Sequence, residues 1–244
     1  MTDTLRDAAR DRFVWNDVWE ATLAERPEFV AAAVRLDSVV AGGGCLDPKV
    51  RAFILLSLNA AVTHLAPEPT RAAIRAAIAA GATREELVEV LMVVVTLGVH
   101  GMNAHVLAEA LEERGLRPAD PELTEHQHRI REEYRETRGY WRDFLNHTLG
   151  LAPDFLSAYL EFSGAPWTVG VLEPKVREFL YLAFDTSPTH MHLTGLKIHI
   201  HNALGYGATT EEIVEVMGLA AGMGLQTLDF AMPILDEEYG MHDD

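Results

Sequence analysis

The sequence predicts an all-α protein built from two tandem helical repeats. Three observations carry that prediction. A block of sequence recurs at a fixed offset, helix start and stop signals match in both halves, and no stretch shows the two-residue alternation of a strand. Leu46-Asp47-Pro48-Lys49-Val50-Arg51 reappears as Leu172-Glu173-Pro174-Lys175-Val176-Arg177, 126 residues later. The same offset carries Thr63-His64 onto Thr189-His190 and Gly81-Ala82-Thr83 onto Gly207-Ala208-Thr209. It also carries Trp15 onto Trp141 and Pro27 onto Pro153 without a gap. The repeats are therefore expected over 1–118 and 119–244, with a joint in the stretch from Gly115 to Pro121.

Within each repeat the elements follow in order. Pro48 and Pro174 suit first helical positions, each behind an acidic cap candidate, Asp47 or Glu173. Gly81 and Gly207 suit the left-handed residue that closes a helix. Thr83 with Glu86, and Thr209 with Glu212, then fit the capping box of the next helix. That helix shows an apolar face through Leu87, Val90, Leu91 and Val94, and through Ile213, Val216, Met217 and Ala220. Gly222-Met223-Gly224 falls inside a helical pattern, where small residues would allow close helix packing.

Composition narrows the function. The 244 residues carry 37 acidic and 20 basic side chains, a formal charge of -17 that repels nucleic acid and anionic membranes. An acidic small-molecule substrate would then need local cations. One cysteine, Cys45, allows no intramolecular disulfide and no cysteine metal cage. The first twelve residues alternate acids and bases without a signal-peptide core, and the apolar run 87–99 is too short to span a bilayer. A soluble cytoplasmic protein is expected, with neither nucleic acid nor membrane as partner.

Lys-x-Arg-Glu-Phe from Lys175, then a His-bearing helix, then Gly-Ala-Thr-x-Glu-Glu-Ile-x-Glu-Val from Gly207, resembles the carboxymuconolactone decarboxylase and alkylhydroperoxidase D superfamily. The first copy resembles it through Lys49-Val50-Arg51 and the stretch from Gly81 to Val90. In the peroxidase branch the resemblance implies a Glu upstream of Cys-x-x-Cys-x-x-x-His. Glu178 and His199 match its Glu and His, but His192 and Gly195 stand at the two cysteine positions. The first copy has Ala66, Pro69 and Ala73 there. Thiol chemistry needs a thiolate and a resolving partner, so peroxidase activity is disfavoured.

Candidate site residues gather in the second copy. Glu178, Tyr181 and Asp185 share one helical face, where the first copy has Ala52, Leu55 and Asn59. His192, Gly195 and His199 share another, and Gly195 would leave room for a ligand to approach. His199, Glu178 and His192 are the candidate catalytic residues, as an imidazole moves protons near pH 7. Lys197, Tyr181, Asp185, Gly195, His190, His64 and His100 are candidates for substrate contact, with Lys197 as the cation. Competing structural readings are a surface pairing of Glu178 with Lys175, histidines hydrogen-bonded between helices, and Thr-His pairs that cap helix starts. The run His190, His192, His199, His201 raises a metal site, yet it holds no His pair at i, i+4 and the resemblance implies none. No metal and no cofactor are expected.

The resemblance implies a cofactor-independent carbon–carbon lyase that decarboxylates a small carboxylated lactone or oxo acid, as in aromatic compound catabolism. Lactone isomerisation or hydrolysis, retro-aldol cleavage, and a non-catalytic ligand-binding scaffold are the alternatives. It also implies a homo-oligomer, with a trimer of fused pairs expected.

Overall fold

Proline sets where many of the helices begin. In this computed structural model, which describes residues 15–42, 44–116, 122–138, 141, 143 and 145–240, helices α1 (Asp17–Glu25), α2 (Pro27–Gly42), α3 (Pro48–Ala60), α4 (Pro67–Ala79) and α5 (Arg84–Val94) come first. A 3-10 segment (Val95–Gly101) leads to α6 (Ala104–Glu113), α7 (Glu125–Arg138), α8 (Leu145–Leu151) and α9 (Pro153–Val169). Then follow α10 (Pro174–Thr186), α11 (Leu193–Gly205), α12 (Thr210–Gly222), a short 3-10 turn (Met223–Leu225) and α13 (Gln226–Gly240). No strand occurs among the described residues, so the fold is all-α as expected. The repeat holds at element level: α3, α4 and α5 begin at 48, 67 and 84, and α10, α11 and α12 at 174, 193 and 210.

The punctuation residues act as expected, with one asymmetry. Gly81 and Gly207 have φ of +85° and +84°. Beside them the Ala82 and Ala208 amides each donate to a carbonyl five residues back at 2.9 Å, closing α4 and α11. Both capping boxes form, the amide of Thr83 or Thr209 donating to its glutamate at 2.8 Å. Each capping glutamate also holds a lysine of the preceding repeat helix: Lys49–Glu86 at 2.7 Å and Lys175–Glu212 at 2.9 Å. Burial raises the pKa of both glutamates, but the lysines and the capping amides outweigh it and leave both below the usual carboxylate range. Asp47 caps α3 through the Lys49 amide at 2.8 Å, whereas the Glu173 side chain makes no cap bond.

Packing groups the helices into two units, 1–94 with 172–244, and 95–171. The first combines the motif-bearing helices of both repeats. Its centre is α3 against α10, each also packed on its own following helix and on α5 and α12. Residues 176–185 of α10 are all buried. Two glutamates cross between repeats here. Glu89 accepts from the Leu172 amide at 2.7 Å and pairs with Arg177 at 2.6 Å. Its equivalent Glu215 accepts from the Cys45 and Leu46 amides at 2.9 and 3.1 Å and lies 3.6 Å from Arg51. A side cluster of this unit joins Trp19, Leu23, Val30 and Val34. In the second unit the equivalent positions Leu145, Leu149, Leu156 and Leu160 build the core with Ile130 and Tyr134.

Two expectations change. The helical stretches 84–113 and 210–240 have the length and apolarity of a bilayer span, longer than the 87–99 run. Their interior glutamates, Glu89 and Glu215, are buried and bonded within the fold, as core helices require. A Cβ at Gly222 or Gly224 would meet nothing within 4 Å, so close packing does not explain those glycines. The joint at 117–121 and the charged N-terminal stretch lie outside the described residues.

Candidate functional site

The site grows out of one repeated turn. Between α10 and α11 the amides of His190 and Met191 both donate to the Ser187 carbonyl at 3.0 Å, and the His192 amide donates to the Asp185 carbonyl at 2.8 Å. The turn between α3 and α4 makes the equivalent three bonds. Met191 and Leu65 adopt left-handed φ values of 54° and 49°. Because the strained residue occurs in both copies, it belongs to the turn itself and not to the site. Thr63 and Thr189 meet at 3.3 Å between their hydroxyls. The Thr-His pairs therefore sit in the interhelical turns, and the expectation that they cap helix starts is corrected.

Glu178, Tyr181 and Asp185 point from α10 toward α11. Glu178 is 2% exposed and holds His199 Nδ1 at 2.6 Å, while Asn202 Nδ2 donates to its other oxygen at 3.2 Å. The surface pairing with Lys175 is thereby excluded. A carboxylate on Nδ1 places the proton there and leaves Nε2 as the basic nitrogen. Tyr181 stacks on the His199 ring, centroids 4.6 Å apart and planes 11° from parallel. His199 Nε2 lies 3.9 Å from Asp185 Oδ2. That oxygen stands 3.6 Å from His192 Nδ1, and Asp185 Oδ1 stands 3.8 Å from His190 Nε2. Burial holds His190 below its usual pKa and His192 pushes the same way, against the opposing pull of Asp185.

Gly195 makes room for this arrangement. A Cβ there would collide with Asp185 Oδ2 and His192 Nδ1. The space expected to admit a ligand is taken by the protein's own side chains.

The structure thus brings together six of the expected residues, Glu178, Tyr181, Asp185, His190, His192 and His199, around Gly195. Lys197 is exposed. It lies two positions from both Gly195 and His199, on the far side of α11, so the expected cation is not delivered to the cluster. His201 is exposed for the same reason. His64 belongs to the equivalent place in the first copy, where its Nε2 bonds Gln226 at 2.8 Å and Gln226 bonds Asn59 at 2.8 Å. His100 lies within the 3-10 segment, in the other unit. Asn202 was not anticipated, though its i+3 spacing from His199 puts it on the same face. Cys45 is exposed and stands just before α3, away from the peroxidase positions.

A family model, the carboxymuconolactone decarboxylase family, matches residues 27–113 and 153–237. The chain belongs to the carboxymuconolactone decarboxylase family. It is also similar to a solved structure from Burkholderia xenovorans, provisionally described as a gamma-carboxymuconolactone decarboxylase subunit. The two are 40% identical over 98% of each chain, with a TM-score of 0.90. No curated protein sequence matches the chain. In this member of the carboxymuconolactone decarboxylase family both repeats carry the fold, and the second alone pairs Glu178 with His199.

Proposed function

We propose that the chain is a carboxy-lyase-type enzyme for a small carboxylated lactone or oxo acid, with His199 moving the proton. The Glu178–His199 pair at 2.6 Å carries this reading. Loss of carbon dioxide leaves a dienolate-like carbanion that must be protonated. His199 Nε2, the nitrogen not held by Glu178, carries the proton, and Glu178 on Nδ1 stabilises the imidazolium meanwhile. Tyr181 fixes the ring plane, and Asn202 fixes the carboxylate. The proton transfer needs no organic cofactor. His192, the most exposed of the cluster's imidazoles at 38%, stands where substrate would enter.

The test is turnover of 4-carboxymuconolactone, followed as carbon dioxide release, by His199→Asn and Glu178→Gln. Each is expected to lose roughly 10²–10⁴-fold in kcat, the ordinary contribution of a positioned acid–base group. Full turnover by both variants would remove the assignment.

The single cysteine fits a cytoplasmic setting. All of α13 lacks a buried residue, and it exposes Phe230, Ile234, Leu235 and Tyr239. That apolar face supports self-association, and the trimer expected from the family is checked by mass in solution.

A further inference from the structure

We infer that Asp185, His190 and His192 form a binding site for one divalent transition-metal ion, with zinc the simplest occupant. The inference stands on geometry and does not depend on the proposed decarboxylation.

Asp185 Oδ2 to His192 Nδ1 is 3.6 Å, and Asp185 Oδ1 to His190 Nε2 is 3.8 Å. All three residues place a ligand atom within 4.8 Å of the others. These separations exceed a hydrogen bond. They fit atoms that share an ion, because two ligands at about 2.1 Å from zinc in tetrahedral geometry stand about 3.4 Å apart. For the two Asp185–His pairs a contraction of a few tenths of an ångström would reach that spacing. Two imidazoles and one carboxylate suit zinc or iron and are poor for magnesium or calcium.

The first copy shows what the same place looks like without such a site. Asn59 replaces the aspartate, Ala66 replaces His192, and Pro69 replaces Gly195. There Gln226 fills the gap, with 2.8 Å hydrogen bonds to both Asn59 and His64. In the second copy Gly195 lets Asp185 and His192 draw together. His199 Nε2, 3.9 Å from Asp185 Oδ2, borders the cluster. An ion there would also supply the positive charge that Lys197 does not bring to a substrate carboxylate.

The test uses tag-free full-length protein, stripped with chelator and titrated with Zn²⁺ alone by calorimetry. One ion per chain is expected in the wild type. Asp185→Asn and His192→Ala should each weaken binding at least tenfold. Both introduce the residue the first copy carries, so the fold should tolerate them, and circular dichroism verifies it. Glu178→Gln should retain zinc while losing turnover, which separates this site from the acid–base pair. The inference is overturned if the wild type binds no stoichiometric zinc, or if both ligand variants bind it as the wild type does.

Discussion

Replacing Gly195 with alanine inverts the usual effect of that substitution in a helix. Inside α11 the change ought to help, because glycine costs about 0.5–1 kcal/mol relative to alanine through backbone entropy. Here the added methyl would collide with Asp185 Oδ2 and His192 Nδ1, and also lie 2.9 Å from His192 Cε1. Asp185 is fully buried and cannot swing clear, whereas the His192 ring is 38% exposed and can turn away. Overpacking of this kind costs about 1–3 kcal/mol, and one blocked neighbour argues for the middle of that range. A net loss of about 1–2 kcal/mol should remain, or about 3–6 °C in Tm for a chain of this size. Gly164, interior to α9, is the matched control: a Cβ there meets nothing within 4 Å. Its replacement by alanine should raise Tm by about 1–4 °C through the entropy term alone. Thermal unfolding by circular dichroism reads both. If Gly195→Ala is as stable as the wild type, the cradle is looser than the structure shows and the reasoning fails.

Two further predictions concern the scaffold. Glu89→Ala leaves Arg177 buried without its carboxylate and should cost about 3–5 kcal/mol, whereas Glu215→Ala, whose arginine is farther away and partly exposed, should cost about 2–3. Equal losses in Tm would contradict the asymmetry of the two bridges. Glu86 and Glu212 have lowered folded pKa values, so their contribution is complete above the unfolded value of 4.5 and is lost as pH falls through the folded value. The double variant Lys49→Met, Lys175→Met should therefore flatten the fall of Tm below pH 4.5, and an unchanged slope would show that the lysines do not set it.

How much of this was legible in the sequence depended on whether a feature is local. Proline starts, the two left-handed glycines and both capping boxes are read within five residues, and all appear where expected. The face of Glu178, Tyr181 and Asp185 follows from helical spacing alone. The same spacing puts Lys197 on the opposite face of α11, since i+2 faces the other way. The cluster of Asp185, His190 and His192 was hidden for a different reason. Its members lie on a helix end, in a turn and at the next helix's cap, so no single period relates them. The backbone bonds of the turn, from His190 and Met191 to Ser187 and from His192 to Asp185, fold them together. The bridges from Glu89 to Arg177 and from Glu215 to Arg51 were equally invisible, because nothing local says which repeat a buried glutamate will serve.

Those bridges explain why the copies diverged unevenly. Glu89 and Glu215, Arg177 and Arg51, Leu172 and Leu46, and Thr189 and Thr63 are identical pairs, and each makes its contact across the repeat boundary. At the glutamate and arginine positions a change in one copy strands a buried or half-buried charge in the other. Glu178, Tyr181, Asp185, His192 and His199 bond or stack among α10, α11 and the turn between them, within the second repeat. At the counterpart positions the first repeat carries Ala52, Leu55, Asn59, Ala66 and Ala73, which can form neither the Glu–His pair nor the Tyr–His stack. The second repeat is nonetheless not structurally independent. The helix that carries Glu178 also carries Arg177, and the carboxylate that neutralises Arg177 belongs to the first repeat.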